Sequence, residues 1–393
     1  MKAAYRFIMT FSAVAVSVMI ILFFTFIGSR AQGPLQDVMT EFGALVREGE
    51  NWVVTQFRGP GRASRLAWFK PYTTDPARLK NPGIVLLGTY DDKIPRTLEG
   101  VAELEKSIGT TLPLIHIYTA WGDKPEQQFP LKIVQAISDY GSLPVVTWEP
   151  WLTDFEAERH PHLSPREKRD KGGMAGIARG EYDFYVDTWA SDAAAYGKPL
   201  FVRLGHEMND PYRYPWGPQN NKPEDFIAAW RHVVKRFRVA GAKNVLWVWS
   251  PHPAYGYFQY FYPGDDVVDW VGAGALNYGT AAHWSQWWSF EDILGNKYPQ
   301  FAAFGKPLMV TEFGTLAVGG SAKKWYTDAL TDLPKKYPMM KSILFFHTSY
   351  DPTVTYKALD WSFSRDSVIT AAISRAISPW LPEKTTYKQG RSR

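Results

Sequence analysis

The sequence predicts an α/β fold: a (β/α)₈ barrel, the TIM-barrel architecture, preceded by an N-terminal transmembrane or signal-anchor helix. Three observations predict it. Eight short apolar runs recur between residues 83 and 380, amphipathic segments lie between them, and two of the runs lead into a glutamate, Glu207 and Glu312. Strand-like runs alternating with helical patterns favour parallel βαβ units. Eight such units over roughly 300 residues favour closure into a barrel. A doubly wound open sheet is the structural alternative, but no Gly-rich phosphate fingerprint follows the first run.

The elements follow in order. Lys2 and Arg6 precede an uncharged apolar run from Phe7 to Gly28, roughly 22 residues and long enough to span a bilayer. A cleaved signal has a shorter apolar core, about 7 to 15 residues, so the length favours an uncleaved anchor. Ser29 and Ala31 would suit cleavage of a signal, and the protein is expected to be secreted if residues 1–31 are cleaved. In either case the positive flank stays inside, and the rest is expected outside the cytoplasm, in the periplasm or at the cell surface. Residues 31–82 read as a tether and lead-in segment, interrupted by Arg58-Gly59-Pro60-Gly61-Arg62. Residues 83–380 form the expected catalytic domain, and 381–393 a basic, solvated tail.

Within the domain the strand-like runs fall at 84–89, 112–118, 143–148, 200–204, 245–249, 268–276, 307–311 and 342–346. Helical periods occupy 97–108, 131–140, 181–196, 223–239, 290–304, 322–333 and 367–377. Leu98, Val101, Leu104 and Ile108 share one face of the first. Pro223 suits the first turn of its helix. The stretch after the sixth run is irregular and rich in aromatics.

Composition narrows the function. Net charge is +5, from 44 basic and 39 acidic residues without a concentrated block, and no nucleic-acid motif is present. Cysteine is absent, which removes disulfides and thiolate chemistry. Aromatic residues make up 16% of the chain, including 17 Trp and 21 Tyr. A large core explains many of them. Those in predicted loops suit a cleft that stacks on the apolar face of a sugar ring.

The chemistry rests on Arg203-Leu204-Gly205-His206-Glu207-Met208-Asn209 and Thr311-Glu312-Phe313-Gly314. A carboxylate after an apolar run is costly inside a core, so it is expected at the strand's mouth. Counting runs, Glu207 ends the fourth strand and Glu312 the seventh, across one shared cleft. Glycosidic bond cleavage needs such a pair: one carboxylic acid to protonate the leaving oxygen, and one carboxylate to attack the anomeric carbon or activate water. His206-Glu207 is not a zinc-protease motif, because position 210 is Asp rather than His. No G-x-S-x-G elbow supports a serine hydrolase. The chemistry calls for no metal and no cofactor.

Several motifs in order resemble glycoside hydrolase family 26. They are Arg203-x-x-His206-Glu207-Met208-Asn209 with Tyr214-Pro215-Trp216, Thr147-Trp148-Glu149-Pro150-Trp151, Asn277-Tyr278, and Thr311-Glu312-Phe313-Gly314. The resemblance spans about residues 83–361. It implies a retaining β-glycanase with Glu207 as acid/base and Glu312 as nucleophile. It further implies that His206 contacts the nucleophile or the sugar 2-hydroxyl, that Tyr278 hydrogen-bonds the nucleophile, and that Trp361 walls the central subsite. Arg203 is a second donor able to keep Glu312 ionised, or a buried partner for an acid such as Glu149.

Trp148 and Trp216 are expected to face sugars, with Trp148 at a strand mouth. Trp284, Trp287 and Trp288 form either a sugar platform or loop packing. One of Trp247 and Trp249 is expected in the core. Asp91, Asp92, His347 and Tyr350 are more distant candidates. Family 26 includes β-1,4-mannanases, β-1,3-1,4-glucanases and β-1,3-xylanases. Asp210-Pro211-Tyr212-Arg213-Tyr214-Pro215-Trp216 departs from the Trp-rich stretch common in the mannanases, which tilts the expectation toward a β-glucan. The expected partners are a β-linked polysaccharide and, through the N-terminal helix, the membrane, with a monomeric chain. The alternative is a membrane-tethered polysaccharide-binding or biosynthesis accessory protein on a barrel scaffold.

Overall fold

The computed structural model describes residues 61–94, 96–352 and 358–382, together with Gly49, 51–52 and 54–55. The chain divides into two compact units, 1–53 and 54–393. The expected N-terminal membrane helix (1–30), the tether up to residue 48, and the tail from 383 lie outside the described residues. Among the described residues no helix is long and apolar enough to cross a membrane.

The second unit is a closed parallel barrel of eight strands in sequence order. They are β1 (Leu86–Asp91), β2 (Leu114–Ala120), β3 (Leu143–Glu149), β4 (Leu200–Leu204), β5 (Val245–Trp249), β6 (Trp270–Asn277), β7 (Leu308–Thr315) and β8 (Met340–His347). Each pairs with the next, and β8 closes on β1 through Leu86↔Ser342 to Asp91↔His347. The expected strands are all present. Helices Glu99–Ile108, Leu131–Asp139, Asp183–Tyr196, Pro223–Val239, Ala322–Leu330 and Ser367–Ile377 pack outside. The helix expected at 290–304 is instead three short turns, Phe290–Ile293, Gly295–Lys297 and Tyr298–Ala302. Gly295 and Pro299 break the regular hydrogen-bond ladder there. The helix expected at 322–333 stops at Leu330, and Asp332 takes φ 56° before a new turn begins.

The period of two along each strand sorts the residues. In β3, Leu143 and Val145 join the inner core, whereas Val146 and Trp148 join the layer under the helices. Trp247 and Trp249 are two apart in β5, so both face the helix layer rather than only one. The inner core gathers Leu86, Leu114, Leu143, Phe201, Leu246 and Met309 with Phe69 and Leu79 of the lead-in segment. Leu86, Leu114 and Leu143 begin their strands, so residues 61–79 close the N-terminal end of the barrel. Phe69 is fully buried, worth about 2 kcal/mol of hydrophobic burial. Arg62 anchors the same segment, pairing with Glu105 at 2.8 Å and donating to the Leu112 carbonyl at 2.9 Å.

Toward the C-terminal ends the interior turns polar. One irregularity matters there. Against β6, Ala273 pairs with Val310 but Gly274 pairs with Glu312; against β8, register is lost between Val310 and Phe313. Both neighbours therefore see one extra residue in β7, a β-bulge at Thr311–Glu312.

Candidate active site

The bulge aims two consecutive side chains at one partner, where regular alternation would send one of them outward. Arg203, in the middle of the polar layer, donates to Thr311 Oγ1 at 2.9 Å through Nη1 and to Glu312 Oε1 at 2.5 Å through Nη2. Its Nε donates to Thr147 Oγ1 at 2.7 Å. Glu312 Oε1 also accepts from the Tyr118 hydroxyl at 2.8 Å. Thr147 in turn meets His116 Nε2 at 2.7 Å. The guanidinium is thus tied to β3, β7 and, through Tyr118, β2. Arg203 is 1% exposed. Burial pushes the Glu312 carboxyl up, but the charge and hydrogen bond of Arg203 outweigh it and hold the group well below the usual carboxylate range.

Glu207 is built differently. β4 ends at Leu204, and Glu207 lies three residues on, with φ 53°. That left-handed conformation is uncommon for a residue with a Cβ and costs of order 1–3 kcal/mol. The turn is held by Glu207 N–H donating to Ser250 O at 2.7 Å and Asp210 N–H donating to Glu207 O at 2.9 Å. Asn209 locks it to the loop after β5, donating to the carbonyls of His252 and Gly256 at 3.0 Å and accepting from His252 N at 2.7 Å. The carboxyl has little help. It is buried, and Oε2 has no hydrogen-bond partner. Its neighbours are Arg213 Nη1 at 3.7 Å and His252 Nε2 at 4.0 Å. Burial pushes its pKa up; His252, Arg213 and Arg203 oppose this, the Glu312 charge adds to it, and the net direction is upward.

The two carboxylates converge. A single point, where a Cβ on Gly274 would sit, is 3.7 Å from Glu207 Oε1 and 4.0 Å from Glu312 Cβ. Glu207 therefore favours the protonated form and Glu312 the ionised form, within one cleft at the C-terminal mouth. Glu207, Asp210 and His252 also offer ligand atoms within 4.8 Å of one another. The Arg213 guanidinium beside Glu207 would oppose a cation there.

The remaining expected residues sort as follows. His206 is buried and held well below its usual pKa by burial and then by Arg203, so its ring is neutral. Its Nε2 meets the Tyr214 hydroxyl at 3.0 Å, and its Nδ1 lies 3.8 Å from Glu149 Oε1. Glu149 accepts from Trp151 Nε1 at 3.0 Å, so Arg203 pairs with Glu312 and not with Glu149. Tyr278 is placed edge-on against Trp361, centroids 4.9 Å apart. The tyrosine that donates to Glu312 is Tyr118, not Tyr278. Trp361 is 1% exposed and donates to Asp351 at 2.9 Å, so it backs Tyr278 and offers almost no face of its own.

Trp148 does not face the cleft. It is fully buried and stacks on Trp189 at 4.4 Å, because Thr147 and Glu149 take the inward positions of β3. Trp216 is likewise 1% exposed, stacked on Tyr214 at 4.7 Å with its indole N–H on the His206 carbonyl at 2.7 Å. It supports the turn that carries Glu207. Trp284 and Trp288 are exposed, whereas Trp287 packs against the core. Asp91 Oδ2 accepts from His347 Nδ1 at 2.9 Å, and Asp92 accepts from the Ser349 amide at 2.7 Å; both pairs tie the rims of β1 and β8 together. The sequence reading missed Tyr118, His116 and Arg213. The polar aromatics His116 and Tyr118 at i and i+2 in an apolar run were the available signal for the first two.

Comparison with known proteins agrees with this geometry. Residues 185–339 match Glycosyl hydrolase family 26. The chain is 30% identical over 279 residues to Endoglucanase H of Acetivibrio thermocellus, covering 68% of this chain and 28% of that protein. It is 30% identical over 157 residues to a mannan endo-1,4-beta-mannosidase of Bacillus subtilis, covering 38% of each. The chain therefore spans well under half the length of these curated relatives. The solved structure of GH26C from Muricauda sp. shares the fold with a TM-score of 0.57 at 17% identity, covering 78% of this chain and 88% of that one. The order of the motifs, the closed eight-stranded barrel and these matches together make the chain a member of glycosyl hydrolase family 26.

Proposed function

We propose that this protein is a retaining endo-β-glycanase that hydrolyses an extracytoplasmic β-linked polysaccharide by double displacement. The observation that carries the proposal is the contrast between its two carboxylates. Glu312 is clamped by Arg203 and Tyr118 and stays ionised, as a nucleophile must. Glu207, buried with a free Oε2, favours the proton that an acid catalyst needs. In the first step Glu312 attacks the anomeric carbon while Glu207 gives its proton to the leaving oxygen. In the second, Glu207, now a carboxylate, takes a proton from a water that attacks the same carbon, and the bond to Glu312 breaks.

The polymer is a β-1,3-1,4-glucan or a β-1,4-mannan. A relative named as an endoglucanase supports a glucan and relatives named as mannan endo-1,4-beta-mannosidases support a mannan, and the departure from a Trp-rich stretch after Glu207 favours the glucan. The apolar run from Phe7 to Gly28 supports an anchored, extracytoplasmic location. The test is release of reducing ends from mixed-linkage β-glucan and β-mannan by the protein and its Glu312→Ala variant. Release that the variant abolishes is expected; turnover that survives in Glu312→Ala refutes the assignment.

A further inference from the structure

Arg213 is left over once the two carboxylates and their supports are accounted for. It sits in the turn that follows Glu207, its side chain 35% exposed, with Nη1 3.7 Å from Glu207 Oε2. Its guanidinium carbon lies 5.2 Å from the centre of the Tyr214 ring. Tyr214 is in turn fixed by His206 and stacked on Trp216. The position is therefore built, not a free surface arm. No oxygen among the described residues accepts a hydrogen bond from Arg213, although arginine carries five N–H donors. Beside an acid catalyst a fixed positive charge also has a cost, because it favours the ionised form of Glu207.

We propose that Arg213 is the residue with which the site holds substrate oxygens next to the scissile bond, and that its charge sets the upper pH limit for Glu207 as an acid. The inference rests on the assignment of Glu207 as acid/base. Free donors beside Glu207 Oε2 face the place where the bridging oxygen and its neighbouring hydroxyls must lie for proton transfer. A guanidinium suits them, presenting several donors in a fixed plane. The groups facing Glu207 are Arg213, Asp210 and Tyr214 from its own turn, His252 and Tyr255 from the loop after β5, Arg203 from β4, Tyr278 after β6 and Glu312 from β7. Arg203 is already neutralised by Glu312. Among the permanent positive charges, Arg213 is thus the one not already neutralised by a buried carboxylate.

The sign follows. A nearby positive charge lowers the carboxyl pKa, so its removal raises it. The acid form then survives to higher pH, and the alkaline limb of kcat/KM moves up.

The test is kcat/KM against pH on mixed-linkage β-glucan for wild type, Arg213→Gln and Arg213→Lys, with affinities for a β-glucan oligosaccharide. Arg213→Gln should move the alkaline limb up by about one pH unit and weaken oligosaccharide binding about tenfold. Arg213→Lys should keep the limb near its wild-type position, since the charge remains. Both variants should keep the wild-type unfolding temperature. A limb that does not move in Arg213→Gln, or moves equally in both variants, overturns the proposal, as does unchanged affinity. If wild type releases nothing from either polymer, the hydrolase reading fails by itself. The oligosaccharide affinities then decide Arg213, and equal affinity in wild type and Arg213→Gln overturns it.

Discussion

Replacing Arg203 with methionine tests the electrostatic core of the site. Methionine keeps a long apolar stem but removes the charge and the donors to Thr147 (2.7 Å), Thr311 (2.9 Å) and Glu312 (2.5 Å). Glu312, with a side chain only 12% exposed, is left with the Tyr118 hydroxyl alone. Breaking a buried pair by removing one partner costs about 3–5 kcal/mol. At 1.36 kcal/mol per pKa unit, a loss of that size moves the Glu312 carboxyl up by roughly 2–4 units. In the wild type the folded carboxyl is depressed, so its stabilisation is complete above the unfolded value and is lost only as pH falls through the depressed folded one. In Arg203→Met the folded value returns toward the ordinary carboxylate range, and Glu312 takes up its proton there. The acid limb of kcat/KM, set by the need for an ionised Glu312, should climb by at least 2 pH units, and activity at its former optimum should fall. Thermal unfolding should drop by about 6 °C or more. An acid limb and an unfolding temperature that both stay at wild-type values would refute the reasoning.

Two further substitutions separate catalysis from packing. Tyr118→Phe deletes one hydrogen bond to Glu312 while Arg203 remains; kcat/KM should fall about tenfold, the worth of one bond to a charged group, with the fold intact by circular dichroism. Trp148→Ala removes a fully buried ring between Trp121 and Trp189. It should cost about 3–5 kcal/mol in denaturant unfolding and leave KM unchanged for the folded fraction. A raised KM with normal stability would put Trp148 back in the cleft.

The strands were legible because apolar periodicity is a local property. Runs at 200–204 and 245–249 coincide with β4 and β5, and the others differ from their strands by a few residues at the ends. The two glutamates were legible for a related reason: a charge at the close of a buried run has few places to go. Orientation was not legible at β7. The run was read as ending at Thr311, whereas the strand continues to Thr315 and Glu312 lies inside it, turned inward by the bulge.

The chain alone determined the order of strands and helices, the barrel class and the pair of acids, since each follows from spacing along the sequence. Tertiary structure decided which side chains meet. Trp148 turned outward because Thr147 and Glu149, one residue either side, point inward. Tyr118, 85 residues before Arg203, reached Glu312 because barrel closure brings β2 across from β7. The electrostatic contrast between Glu207 and Glu312 belongs to the fold as well. It depends on burial and on the position of one guanidinium, and both exist only once the eight strands have closed.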